Sequence, residues 1–175
     1  MEASEIPYQE TNKFSKLVVD YVNANPTIEP FINHFPTLDN FEKQIIEKSN
    51  HSVNRKVLVE VLQQQNSYLS LSNQSQKNIK SLLSKETLTV TTGHQLCIFT
   101  GPLYFIYKII STINLCEQLT VKYPTNNFAP IFLMASEDHD FQEINHIHLF
   151  GKKIEWESEQ NGAVGRINLD GFVTV

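Results

Sequence analysis

The run Thr87-Leu88-Thr89-Val90-Thr91-Thr92-Gly93-His94-Gln95, with Thr100-Gly101-Pro102 and an apolar tract behind it, decides how this chain folds. Its first six residues are rich in β-branched side chains and run into a glycine, as a strand does. Pro102 suits a first helical turn. From Leu103 to about Leu119 the sequence is apolar on nearly every side, which predicts a helix buried against a sheet. Pro124 and Asn126-Asn127 make a return loop, and Ala129-Pro130-Ile131-Phe132-Leu133-Met134-Ala135 is an unbroken apolar run of the kind found in buried parallel strands. Strand, helix and strand form a right-handed βαβ unit and predict an α/β fold with a parallel sheet. Thr87–Thr92 and Pro130–Ala135 are then neighbouring strands, with Gly93 and Glu137 at the same edge.

Upstream the character changes near Ser84-Lys85-Glu86. Residues 1–85 read as a helical N-terminal extension, and residues 86–175 as the first part of the α/β domain, itself incomplete. Leu58, Val61, Leu62 and Gln65 keep helical spacing, and Asn73 with Gln76 looks like a helix start. A further helix is expected over Phe14 to Val22, stopped before Pro26, and Pro36-Thr37 is expected to open another.

The chain has 175 residues, is 41% apolar and carries a net charge of −5. That is enough chain for one domain, and its dispersed acids exclude a nucleic-acid binder, which needs a basic surface. Met1-Glu2-Ala3-Ser4-Glu5 has no apolar run behind it and does not read as a signal peptide, and no stretch approaches the roughly 20 apolar residues of a membrane span. The expectation is a cytoplasmic protein, with no membrane partner. Cys97 and Cys116 lie in apolar sequence and read as small core residues rather than a disulfide or a nucleophile.

In an open parallel sheet ligands bind beyond the carboxyl ends of the strands. Both ends here are polar. The first strand leads into Thr92, Gly93, His94 and Gln95, and the helix after it begins at Thr100, Gly101 and Pro102; free amides there favour an anion, although Gly93 also reads as a plain turn and Thr100 as an ordinary cap. A carboxylate introduced at Gly101 is expected to repel such an anion at little cost to folding. The second strand leads into Glu137, Asp138, His139 and Asp140, followed by Glu143, Asn145, His146 and His148. Consecutive ionisable residues after a core strand suit recognition of a polar substrate, general-base chemistry by Asp138, His139 or Asp140, or a solvated turn. A metal-dependent hydrolase using Asp138, His139, Asp140 and His146 is the competing enzyme reading, and a non-catalytic binding module the third; the spacing is not diagnostic of a metal and no metal ligand is assigned. Lys108, two turns into the helix, either reaches solvent or lies beside a ligand phosphate.

Thr91-Thr92-Gly93-His94-Gln95, Phe99-Thr100-Gly101-Pro102-Leu103-Tyr104, Ile106-Tyr107-Lys108, Pro130-Ile131-Phe132, Glu137-Asp138-His139-Asp140-Phe141, Glu143-Ile144-Asn145-His146 and Gly162-Ala163-Val164-Gly165-Arg166 together resemble the bacillithiol cysteine-adding family, BshC. The resemblance implies a Rossmann-like, nucleotidyltransferase-like core and a ligase that joins cysteine to glucosaminyl malate. It also implies that Thr92 to Gln95, Thr100 to Pro102, Tyr104, Lys108, Glu137, Glu143, Asn145 and His146 bind substrate or nucleotide. ATP or another nucleotide as donor follows only from analogy with adenylate-forming enzymes. Leu133 stands where the family often has Trp, a packing change. Family members are about three times longer, so the resemblance implies that homodimerisation through a coiled coil belongs to the longer protein, and that a chain stopping at Gly171-Phe172-Val173-Thr174-Val175 is inactive alone.

Overall fold

A computed structural model describes residues 4–170 and 172; the expectations for the first three residues and most of the final five lie outside them. The chain falls into two compact units, one up to Ser52 and one from Val53 onward.

The first unit holds α1 (Lys16–Val22) and α2 (Phe41–Ser49), with a 3-10 segment at Pro26–Phe31 between them. The first helix starts two residues later than the sequence suggests, because the Ser15 hydroxyl accepts the Val18 amide and caps it. Pro36-Thr37 lies in the turn before α2, which opens only after Asn40.

The second unit contains α3 (Arg55–Gln65), α4 (Asn73–Ser81), β1 (Thr87–His94), α5 (Leu103–Lys122), β2 (Asn127–Met134), the single turn α6 (Phe141–Ile144) and a hairpin of β3 (His146–Leu149) and β4 (Lys152–Glu155). The helix start at Asn73 moves by one residue: Ser72, not Asn73, is the cap, its hydroxyl accepting the Ser75 amide at 3.1 Å. The strands β1 and β2 are parallel, in register from Thr87↔Asn127 to His94↔Met134, and α5 crosses between them as expected. Pro130 is tolerated because β2 pairs on one side only among the described residues.

Side chains alternate across a strand, and that alternation sorts the neighbours of this sheet. Phe132 and His94 meet Phe105 of α5, at ring-centroid distances of 5.1 and 5.4 Å. Ala129 faces the other way, into a core with Val59 of α3 and Leu82 after α4, to which Leu62 and Ile79 add. The buried α3 residue is Val59, whereas Leu58 and Val61 are substantially exposed. The Arg55 guanidinium stitches this core shut, donating to the carbonyls of Leu82 (3.0 Å) and Thr87 (3.1 Å).

Two apolar tracts are less buried than their sequence predicts. On α5 only Thr112, Cys116 and Leu119 are buried, while Leu103, Ile106, Tyr107 and Ile110 form an exposed stripe. The strand β2 is buried at Phe128 and Ala129 and exposed at Leu133 and Met134. A helix beside a two-stranded sheet has one face covered; apolar sequence on every face needs a second layer. No helix among the described residues is long and apolar enough to cross a membrane.

Candidate functional site

Because β1 and β2 are parallel and in register, both polar segments leave the sheet at one edge. His94 is the last residue of β1, 5% exposed, and its parity along the strand turns it toward α5. There Nε2 lies 2.9 Å from the Tyr104 hydroxyl and 3.7 Å from Glu143 Oε1. Tyr104 donates to Glu143 Oε1 at 3.3 Å. On the other side of the ring Nδ1 lies 3.2 Å from the Gln95 carbonyl oxygen and 3.4 Å from the Cys97 sulfur.

Gln95 completes the arrangement. Its side-chain amide donates to Asp138 Oδ2 at 3.2 Å and to Glu143 Oε2 at 2.5 Å. Two carboxylates thus share one neutral donor, a combination that attracts a cationic or hydrogen-bond-donating group. Partial burial pushes the Tyr104 hydroxyl above its ordinary value, and the Glu143 charge adds to it. Burial, then Glu143, pushes the Cys97 thiol up in the same way. Both groups therefore keep their protons at neutral pH.

The structure divides the sequence-predicted residues. His94, Gln95, Tyr104, Asp138 and Glu143 form one hydrogen-bonded network. Asp140 caps α6, accepting the Glu143 amide at 3.0 Å, and Asp138 Oδ1 accepts the Asp140 amide at 2.9 Å. His139 is exposed and takes no part in the network. Glu137 pairs with Arg166 at 3.1 Å, both largely in solvent. Asn145 is buried and structural: its amide donates to the Trp156 carbonyl at 3.0 Å, tying α6 to the end of β4. His146 turns Nδ1 toward the Gln142 carbonyl at 3.0 Å. Thr92 sits within β1 opposite Phe132. Asp138, Asp140 and His146 each hold a different partner, and among the described residues no three His, Cys, Asp or Glu side chains are grouped to hold a metal ion.

The turn before α5 also differs from expectation. Thr100 is not the cap; it has φ of 68° in a 3-10 turn, and Pro102 occupies the cap position with no side-chain hydrogen bond. Gly101 has φ of 62°, and a Cβ there would lie 2.6 Å from Cys97 Cβ. An aspartate at Gly101 would therefore disturb the fold as well as repel an anion. Lys108 is exposed, as the solvent reading expects, while donating to the Gly93 carbonyl at 3.2 Å and lying over the Tyr104 ring. Gly93 is fixed by close approach, since a Cβ would sit 2.8 Å from the Leu133 carbonyl oxygen. Leu133 itself is 62% exposed.

Sequence reasoning passed over two contributions. Cys97 is not a plain core residue but touches His94. The segment around Gly165 clamps the β2 exit: Val164 donates to the Asp138 carbonyl at 2.7 Å and Gly165 to that of Ser136 at 2.8 Å. A glycine beside two apolar residues carries no signal of such a contact.

Beside Tyr104 and Glu143 opens a cavity of about 930 Å³ that runs along the hairpin past His146 and His148.

The description "Bacillithiol biosynthesis BshC, N-terminal Rossmann-like domain" matches residues 1–174. Proteins from Flavobacterium psychrophilum and Flavobacterium johnsoniae are each 50% identical to this chain, over 97% and 95% of it. One from Cytophaga hutchinsonii is 47% identical over 98% of it. All three carry the name cysteine ligase BshC, itself a provisional one, and this chain spans about a third of their length (33%, 32% and 33%). With a Rossmann-like parallel strand pair and the paired polar strand ends in place, the chain belongs to the BshC family of bacillithiol biosynthesis, as its N-terminal Rossmann-like domain.

Proposed function

We propose that this chain is the amine-binding and proton-accepting part of a ligase that joins the cysteine carboxyl group to the amine of glucosaminyl malate. The observation that carries this reading is the Asp138–Gln95–Glu143 bridge at the carboxyl edge of β1 and β2. An ammonium entering there exchanges one neutral donor for a charged one between two carboxylates. Amide formation then needs the neutral amine: nitrogen attacks the activated carboxyl carbon, the C–N bond forms, the activating group leaves with one carboxyl oxygen, and the amine proton passes to a base. Asp138 is favoured as that base, because Asp140 is held as a helix cap and His139 lies outside the network. His94, Tyr104 and Glu143 orient the amine.

ATP or another nucleotide is the donor by analogy with adenylate-forming enzymes; the amides at the start of α5, free of a side-chain cap, suit a phosphate. The reaction belongs to a cytoplasmic protein of the relatives' full length, dimeric in that form, and the present chain alone does not turn over.

The test is to incubate a protein of full family length, carrying this chain as its N-terminal third, with cysteine, glucosaminyl malate and each of several nucleotides. Mass spectrometry is expected to show a thiol product equal to the two substrates less one water. No such product with any nucleotide would sink the ligase reading.

A further inference from the structure

The four residues after Gln95, Leu96 to Phe99, line a second cavity, of about 410 Å³. Trp156, which follows β4, and Ile167, Leu169 and Phe172 add to its walls. Aromatic rings meet there: the Phe172 centroid lies 5.6 Å from that of Phe99 and 5.4 Å from that of Trp156. Among the described residues no charged side chain lines this space.

The lining is incomplete in three respects. Trp156 is 4% exposed, and its indole Nε1 is buried without an acceptor among the described residues. A buried N–H normally has a partner, because a bare one forfeits the hydrogen bond it made to water. Phe99 and Leu169 are 65% and 62% exposed, large apolar side chains left in solvent. Phe99 also holds a left-handed backbone, with φ of 46°, and Thr100 follows at 68°. A residue other than glycine stays in that region only where surrounding structure holds it there. An apolar group that carries a hydrogen-bond acceptor answers all three.

The chain spans about a third of the relatives it matches, 33% of the Flavobacterium psychrophilum protein. We propose that this cavity seats part of the remainder of a family-length protein, with apolar side chains against Phe99, Leu169 and Phe172 and a backbone carbonyl accepting from Trp156 Nε1. A second copy of this chain suits the patch poorly. Symmetric pairing sets the patch against itself, and its lining side chains offer no acceptor better than the Cys97 sulfur. The seat is also joined to the hydrogen-bonded network. Cys97 Sγ lies 3.4 Å from His94 Nδ1, and Gln95 directly precedes the lining residues. The docked segment therefore fixes the stretch from which Gln95 reaches Asp138 and Glu143. This inference goes beyond the ligase reading and does not rest on it.

Cys97, half-buried in this chain, reports on the seat. The experiment follows its alkylation by N-ethylmaleimide, read from peptide masses, in the chain alone and in a family-length protein that carries it. The family-length protein is expected to react at least about tenfold more slowly, because a covered thiol reacts only through local opening. Leu169→Glu, at an exposed position, should leave the circular dichroism of the chain alone unchanged. In the family-length protein it should return Cys97 to the faster rate. Trp156→Phe, which deletes the donor, should lower the melting temperature of the family-length protein more than that of the chain alone. Equal alkylation rates in the two forms, slow alkylation that survives Leu169→Glu, or equal melting losses on Trp156→Phe would each overturn the inference. So would protection of Cys97 that appears in the chain alone as its concentration rises, since a second copy is then the occupant. None of these readouts needs turnover, so the ligase reading stands or falls apart from them.

Discussion

At the scale of single residues, the two aspartates of the Glu137–Asp140 run have separate functions in the structure although they look alike in the sequence. Asp138→Asn keeps the oxygen that accepts the Asp140 amide and removes the charge facing Gln95. In the full-length protein it is expected to lower turnover about a hundredfold, in the usual range for loss of a general base, with little change in melting temperature. A rise in the Michaelis constant for the amine without loss of turnover would make Asp138 a binding group instead. Asp140→Ala should do the opposite. It removes the cap of α6, costing about 1 kcal/mol of stability, and affects catalysis only as far as Glu143 shifts; thermal melts of both variants side by side check this. The chemical character of this run was legible from the sequence, four ionisable side chains after a core strand. Which oxygen caps a turn and which faces a partner was not, because that depends on the path of the backbone after β2.

Residue environment also sets a pH limit. The Cys116 thiol, buried on α5, is pushed from an ordinary value near 9 up to about 11. The fold thus holds a proton that the unfolded chain releases, so its stabilising contribution is complete below about pH 9 and is lost as the pH rises toward 11. Melting temperature is expected to fall across that window, and Cys116→Ala, which removes the titrating group, should flatten part of the fall. An identical slope in the variant would place the titration elsewhere.

At the scale of elements, the site is held by contacts that link segments distant in the chain. The clamp on the β2 exit is the clearest case: a Cβ at Gly165 would lie 2.6 Å from Ser136 Cβ and 2.9 Å from the Ser136 carbonyl oxygen. Gly165→Ala must therefore push the loop that carries Asp138. Its expected result is a loss of activity in the full-length protein larger than its loss of stability, with amide exchange rising at Ser136 to Asp138. Wild-type exchange there would show that the loop absorbs the methyl group. Arg55 plays the matching structural part at the other end of the sheet. Arg55→Ala leaves the Leu82 and Thr87 carbonyls without their charged donor, and about 2 kcal/mol of stability should be lost in denaturant melts. Helices, strands and their order were readable from periodicity and turn residues, as β1, α5 and β2 show. These two links were not, since a glycine and an arginine in polar sequence give no sign of what lies 29 or 32 residues away.

At the scale of the whole molecule, the stripe Leu103, Ile106, Tyr107 and Ile110 is the largest departure from the burial that the sequence predicts. Apolar side chains repeated at helical spacing and left in water favour association. The isolated chain is expected to self-associate with rising concentration, and Ile110→Lys should reduce the light scattering while leaving circular dichroism unchanged.

The sequence by itself determined the parallel βαβ unit, because β-branched runs, a glycine at the strand end and a long apolar tract act locally, within a few residues of one another. It also determined that polar residues gather at one sheet edge, since parallel strands in register leave their carboxyl ends together. Only the tertiary structure decided that His94, Gln95, Tyr104, Asp138 and Glu143 share one network, while Asp140, Asn145 and Lys108 are drawn into capping and bracing. Hydrogen bonds reach about 3 Å, and which side chains come that close depends on strand parity, turn geometry and packing summed over the fold.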